Sequence, residues 1–271
     1  MAEAAHFDEQ LGAWVLSRYD DVLAALREPS LAQTGSSGPL DESAQLQARA
    51  QVLESLSGAK VEEWRARIAS VTSEFLDRLP VGRPFDLVRD FLLPWARALA
   101  EPDAGKSLRT GVAETLPSFL ANAFLDLLRN PAEFARLRAD ASVMPRAVEE
   151  LLRHAGLVHT LVRTATADVD IAGVRIARGE KAMLKVAEAN LDGDRFAEPD
   201  RLDVSRRVSG HVALGAGAHS CAGAVLVRMA AAFVIGAFAA RFSAVEMNGP
   251  VEWHRGSTLS YPVSIPVIAL R

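Results

Sequence analysis

Residues 211–223, HVALGAGAHSCAG, place the chain's single cysteine, Cys221, at the mouth of a long apolar stretch that reads as a helix. Gly215 and Gly217 precede it and Gly223 follows. A helix N-terminus offers unpaired N–H groups and the positive end of the helix dipole, so it stabilises an anion placed there. It favours the thiolate form of a cysteine, which is the form that binds metal. Flanking glycines let the backbone approach a flat ligand closely. A cysteine opening an alanine-rich helix can equally be a small buried hydrophobe, and on these residues alone both readings stand.

The rest of the composition limits the class of molecule. Among 271 residues, 49% are apolar and 24% charged, which excludes a disordered tail, a collagen-like fibre and a disulfide scaffold. One cysteine cannot form an internal disulfide. A net charge of −4 provides no basic field for nucleic acid. The apolar stretch Gly223–Phe242 is interrupted by Arg228, and Met229–Ala240 falls short of the ~20 residues that cross a bilayer. It reads as a core helix. Met1–Gln10 is acidic and lacks the order of a signal peptide. The expectation is a cytoplasmic protein with no nucleic-acid or membrane role.

Helical periodicity dominates the first 155 residues. Tyr19–Glu28 reads as a helix with Asp20 or Asp21 placed to cap it. Ser30–Leu40, rich in Gly, Ser and Pro, reads as a loop. Helices are expected over Ala44–Ser57, Val61–Leu79, Phe85–Ala100, Ser107–Arg129, Ala132–Ala139 and Pro145–His154. In the second of these, Trp64, Ile68, Val71, Phe75 and Leu79 form one stripe. Glu101–Gly105 reads as a breaker, and Pro117 is expected to kink its helix. After His154 the period shifts towards 2. Val169–Ile171, Val174–Ile176 and Ala182–Val186 read as a small antiparallel sheet, and Val251–Ile268 as edge strands. No linker divides the chain, so 1–271 reads as one mainly α domain with a small antiparallel β-sheet.

The loop LGAGAHSCAG resembles the cysteine-ligand loop of the cytochrome P450 superfamily, Phe-Gly-x-Gly-x-His-x-Cys-x-Gly. Gly215, Gly217, His219, Cys221 and Gly223 match, and Leu214 replaces the phenylalanine on the thiolate side of the haem. The resemblance implies haem b with its iron ligated by Cys221. Upstream, Glu150-Leu-Leu-Arg153 resembles the family's Glu-x-x-Arg motif, with Arg206 in LDVSR as the arginine that joins the pair. Such a buried network is tolerated only when complete, and its implied role is to hold the cysteine loop.

The same resemblance implies propionate anchors at Arg163, at His211, and at Arg49, where Gln45 stands in place of the usual histidine. Gly111-Val-Ala-Glu114-Thr115 resembles the oxygen-side motif and implies a proton relay through Glu114 and Thr115. Likeness runs from Phe7 to the VEWHRGSTLSYPVSIPV tail. The N-terminal helix before Phe7 and most of the substrate-lid (F–G) region are missing, and only about ten residues separate Ala100 from Gly111. The chain is therefore expected to have a truncated cytochrome P450 fold with an open distal face.

Two functions follow from the resemblance. The first is a haem-thiolate monooxygenase of bacterial specialised-metabolite biosynthesis. It would act on a small molecule, or on an intermediate held by a carrier or partner protein, with electrons from a ferredoxin or reductase. The second is a scaffold that has lost oxygen chemistry and serves as a helper protein or redox-neutral cyclase. In either case a homodimer or partner protein could cover the open face.

Overall fold

Phe238 stands at the centre of the larger core, its ring 4.9 Å from those of Phe124 and Phe242 and 6.0 Å from that of Phe91. Burying each such ring contributes roughly 1.5–3 kcal/mol, and the offset and edge contacts fix how the helices meet. The computed structural model describes residues 3–35, 38–39, 41–100 and 106–271. Its helices are α1 (Tyr19–Arg27), α2 (Glu42–Ser55), α3 (Ala59–Arg78), α4 (Leu93–Ala100) and α5 (Lys106–Thr110). They continue as α6 (Leu116–Arg129), α7 (Pro131–Ala139), α8 (Met144–His154), α9 (Val186–Asn190) and α10 (Ala224–Arg241).

The helix α10 is apolar all round and packs against α3, α7 and α8. Leu226, Ala230, Val234 and Phe238, at four-residue steps, are buried. It is a core helix, as its composition implies. On α3 the buried face is Ile68, Thr72 and Leu76, with Trp64, Val71 and Phe75 half-buried beside it. A buried threonine is tolerated there because its Oγ1 accepts the Trp95 Nε1–H at 3.0 Å.

Several local expectations change. Residues 85–100 are not one helix. Pro84–Asp86 is a strand paired with Pro266–Ile268, followed by a wide turn over Leu87–Leu92 and then α4. The Asp86 carboxylate starts that turn by accepting the Val88 and Arg89 N–H groups at 2.8 and 3.0 Å. Asp20 and Asp21 make no cap to α1, and the Tyr19 N–H instead reaches Asp192 Oδ2 at 2.8 Å. Leu31–Gly35 is a strand and not a loop, because Leu31 is buried and opposes Ala165. The breaker Glu101–Gly105 lies outside the described residues.

The predicted kink takes a specific form. Over Gly111–Thr115 the helix widens, with the Leu116 N–H donating to the Gly111 carbonyl five residues back. Pro117 then occupies the first turn of α6, where a missing N–H is tolerated. Such widened turns recur at functional sites.

The strands form a six-stranded sheet in the order His6–Asp8, Ala13–Leu16, Lys181–Leu184, Leu161–Ala165, Leu31–Gly35, Gly38–Pro39. Ala13–Leu16 and Lys181–Leu184 run parallel and the other pairs antiparallel. Ala182 therefore belongs to this sheet, while Val169–Ile171 and Val174–Ile176 pair only as a hairpin. A second, smaller core lies under the sheet around Leu16, Tyr19, Ile176 and Leu184.

Candidate active site

The cysteine loop is closed by its own backbone. The Cys221 N–H donates to the Leu214 carbonyl at 2.7 Å, and the Gly215 N–H to Val212 at 2.9 Å. Gly215 sits at φ +72°, a left-handed conformation that a side chain would strain. The helix α10 itself starts at Ala224, so Cys221 lies in the turn before it, with the Ala224 N–H reaching the Cys221 carbonyl at 3.3 Å. Cys221 is exposed, and what it is exposed to is a cavity.

That cavity, about 790 Å³, lies between the cysteine loop and the wide turn at the start of α6. Leu214, Gly215, His219, Cys221 and Gly223 line one side. Gly111, Val112, Thr115, Leu116 and Phe119 line the other. Thr115 is in the wall, whereas Glu114, one residue earlier, is exposed and outside it. Gly217 also lies outside the lining, against α1.

The three predicted anchors are placed differently from one another. Arg163 is buried, lines the cavity, and donates to the neighbouring Val162 carbonyl, at 3.1 Å. Among the described residues it has no carboxylate partner, and burial lowers its pKa. Arg49, on α2, instead reaches into the cysteine loop, where Nη1 donates to the Ser220 carbonyl and Nη2 to its Oγ at 3.2 Å. His211 meets Glu149, with Nε2 3.0 Å from Oε2.

Glu150, Arg153 and Arg206 come together. Arg153 Nε and Nη2 donate to Glu150 at 2.8 and 2.9 Å, and Arg206 Nε donates to the same carboxylate at 3.0 Å. The Glu150 and Arg153 side chains are both fully buried. The remaining donors are satisfied by carbonyls of the irregular segment, Asn190 and Pro199 for Arg153 and Ala197, Glu198 and Arg201 for Arg206. Every nitrogen of both guanidinium groups thereby has a partner, as a buried ion pair requires. Asn190 links the network to the loop, its Oδ1 accepting the Val212 N–H at 2.8 Å.

A second carboxylate escapes the sequence reading. Glu149 accepts Arg228 Nε–H at 2.6 Å and Nη2–H at 3.0 Å as well as the His211 contact. Burial alone raises its pKa, but the hydrogen bonds from His211 and Arg228 outweigh that and hold it at about 2. The available signals were the doubled glutamate in AVEELLR and an arginine inside an apolar helix.

The sequence profile described as Cytochrome P450 matches residues 135–255. Cytochrome P450 CYP199A2 of Rhodopseudomonas palustris is 40% identical over 162 residues, which are 60% of this chain and 39% of that relative's length. Cytochrome P450 107B1 of Saccharopolyspora erythraea is 28% identical over 339 residues, covering 88% of this chain and 84% of the relative. The crystal structure of P450BioI with an acyl carrier protein ligated to hexadec-9Z-enoic acid superposes with a TM-score of 0.87, at 18% identity, over 95% of this chain and 92% of that one. In sequence over these residues and in fold, the chain is similar to cytochrome P450s.

Cytochrome P450 relatives are haem-thiolate monooxygenases, and the cavity fits such a group. A Cβ on Gly223 would stand 3.8 Å from the Cys221 Sγ, so the glycine keeps that side of the sulfur open. The walls are mainly apolar, and the buried, unpaired Arg163 suits a carboxylate. Among the described residues no cluster of three His, Cys, Asp or Glu could hold a bare metal ion.

The 339-residue match to the Saccharopolyspora relative is longer than the whole chain, so that cytochrome P450 carries internal residues which this one lacks.

Proposed function

We propose that the chain is a haem-thiolate oxidoreductase acting on a small molecule, or on an intermediate presented by a carrier or partner protein, in the bacterial cytoplasm. The observation that carries this reading is that Cys221 and the unpaired, buried Arg163 line one apolar cavity facing Thr115. Cys221 would hold the haem iron and Arg163 a propionate, while Arg49 and His211 steady the loop from Ser220 and Glu149. Bound haem would supply oxygen activation, using two electrons from a ferredoxin or reductase.

Thr115 lines the cavity opposite the cysteine loop, where a hydroxyl can pass a proton inward. Glu114 is exposed one residue away and can exchange protons with water. The apolar lining from Val112, Leu116 and Phe119 limits bulk water and receives an apolar part of the substrate. The internal residues lacking relative to cytochrome P450 107B1 support a partner protein or second copy covering the distal face.

The test is reconstitution with a ferredoxin and its reductase under labelled dioxygen. One labelled oxygen atom in the product supports the reading, and Thr115→Ala should lower product formed per electron pair consumed. A product formed without oxygen uptake would favour the redox-neutral scaffold instead.

A further inference from the structure

One carboxylate, that of Glu149 on α8, binds both arms of the cysteine loop. Its Oε1 accepts from Arg228 at 2.6 Å, and its Oε2 accepts from Arg228 and His211, each at 3.0 Å. His211 lies ten residues before Cys221 and Arg228 seven after it, at the start of the second turn of α10. The Ala213 N–H donates to His211 Nδ1 at 3.3 Å, which leaves the ring hydrogen on Nε2, aimed at Glu149.

The neighbouring Glu150 faces a different set of groups. Its partners Arg153 and Arg206 bind the irregular segment 190–201, and Asn190 links that segment to the loop. Glu149 is the hydrogen-bonded counter-charge of Arg228, whose pKa is raised first by the hydrogen bond to Glu149, against burial, and then by attraction to Glu149 and Cys221. Val227, next to Arg228 in the chain, lines the same cavity as Cys221, which places the Arg228 charge beside the site of the sulfur.

Resting on the haem-thiolate reading, we propose that Glu149 is a positioning residue that clamps the cysteine loop at both ends and neutralises Arg228, so setting the field at the Cys221 sulfur. Hydrogen-bonded groups behind a metal ligand commonly matter in this way, and losing one costs roughly 10–100-fold in metal affinity or activity. The sign of each effect follows from Coulomb's law. Removing Glu149 leaves a cation near a thiolate and favours the more electron-rich iron. Removing Arg228 leaves an unopposed carboxylate and does the reverse.

The experiment compares wild type, Glu149→Gln, Arg228→Gln and the double variant as purified full chains, reading the midpoint potential of bound haem and amide exchange over residues 211–223. The potential should rise in Glu149→Gln, fall in Arg228→Gln, and return towards wild type in the double variant. Loop amides should exchange faster in Glu149→Gln than in wild type. Shifts of the same sign in both single variants, or no shift in either, overturn the proposal. Should Glu149→Gln fail to fold, a fall in Arg228→Gln alone supports it and any other result overturns it. A wild-type chain that takes up no haem defeats the underlying reading instead. Amide exchange then decides the clamp by itself, and an unchanged loop in Glu149→Gln overturns it.

Discussion

Gly217 and Arg27 meet backbone to backbone: a Cβ on Gly217 would stand 3.0 Å from the Arg27 Cα and 3.0 Å from the Leu26 carbonyl oxygen. The contact seats the cysteine loop on the end of α1. Gly217 also holds φ +68°, so a side chain there meets both a clash and an unfavourable backbone. Gly217→Ala is expected to destabilise the fold by about 2–3 kcal/mol. Gly193→Ala, where a Cβ meets open space, should change little. Urea midpoints of the two variants check this.

Arg163 gives effects of opposite sign on two properties. It is buried without a carboxylate partner among the described residues, so burial opposes its charge in the haem-free chain. Arg163→Met should stabilise the haem-free protein while weakening haem retention. The loss of a charge-assisted bond corresponds to roughly 1.5–3 kcal/mol. Thermal melts without haem and rates of haem transfer to an acceptor protein read the two separately.

Arg153→Ala should be among the most damaging single changes, because it leaves Glu150 buried and short of two hydrogen bonds. Breaking a buried pair from one side costs about 3–5 kcal/mol. The expected result is a lower urea midpoint or loss of soluble protein.

Two ion pairs give stability opposite pH windows. The pKa of Glu149 is depressed from 4.5 to about 2, so its contribution is complete above pH 4.5 and is lost as pH falls towards 2. Allowing for solvent screening, it is worth about 1–2 kcal/mol, and the urea-midpoint gap between wild type and Glu149→Gln should close with acid. For His154, burial lowers the pKa, but hydrogen bonds to Asp126 Oδ2 at 2.6 Å and the Asp200 carbonyl at 2.9 Å raise it overall. Its contribution is complete below pH 6.5 and fades as pH climbs through the raised value. His154→Gln should therefore cost more stability in acid than in alkali, measured as the same gap.

What could be read from the sequence followed from spacing. Cys221 with its glycines, and Glu150 with Arg153 three residues on, are local patterns, and the structure places each set together. Arg206 was legible only through resemblance, since nothing local marks it. Glu149, His211 and Arg228 were not legible as a group, because their meeting depends on how α8, the loop and α10 pack. Leu31–Gly35 was misread for a related reason. The Gly, Ser and Pro content of Ser30–Leu40 argues for a loop, but pairing of Leu31–Gln33 with Arg163–Ala165 overrides that preference. The widened turn before Pro117 shows how a predicted break can be right in place and different in form.

Ligation of haem by the Cys221 thiolate is the central claim, and the absorption spectrum of the purified chain, reduced and exposed to carbon monoxide, tests it most directly. The expected result is the red-shifted thiolate-type Soret band in wild type and its loss in Cys221→Ala. A wild-type protein without that band, or a Cys221→Ala variant that keeps it, would contradict the account.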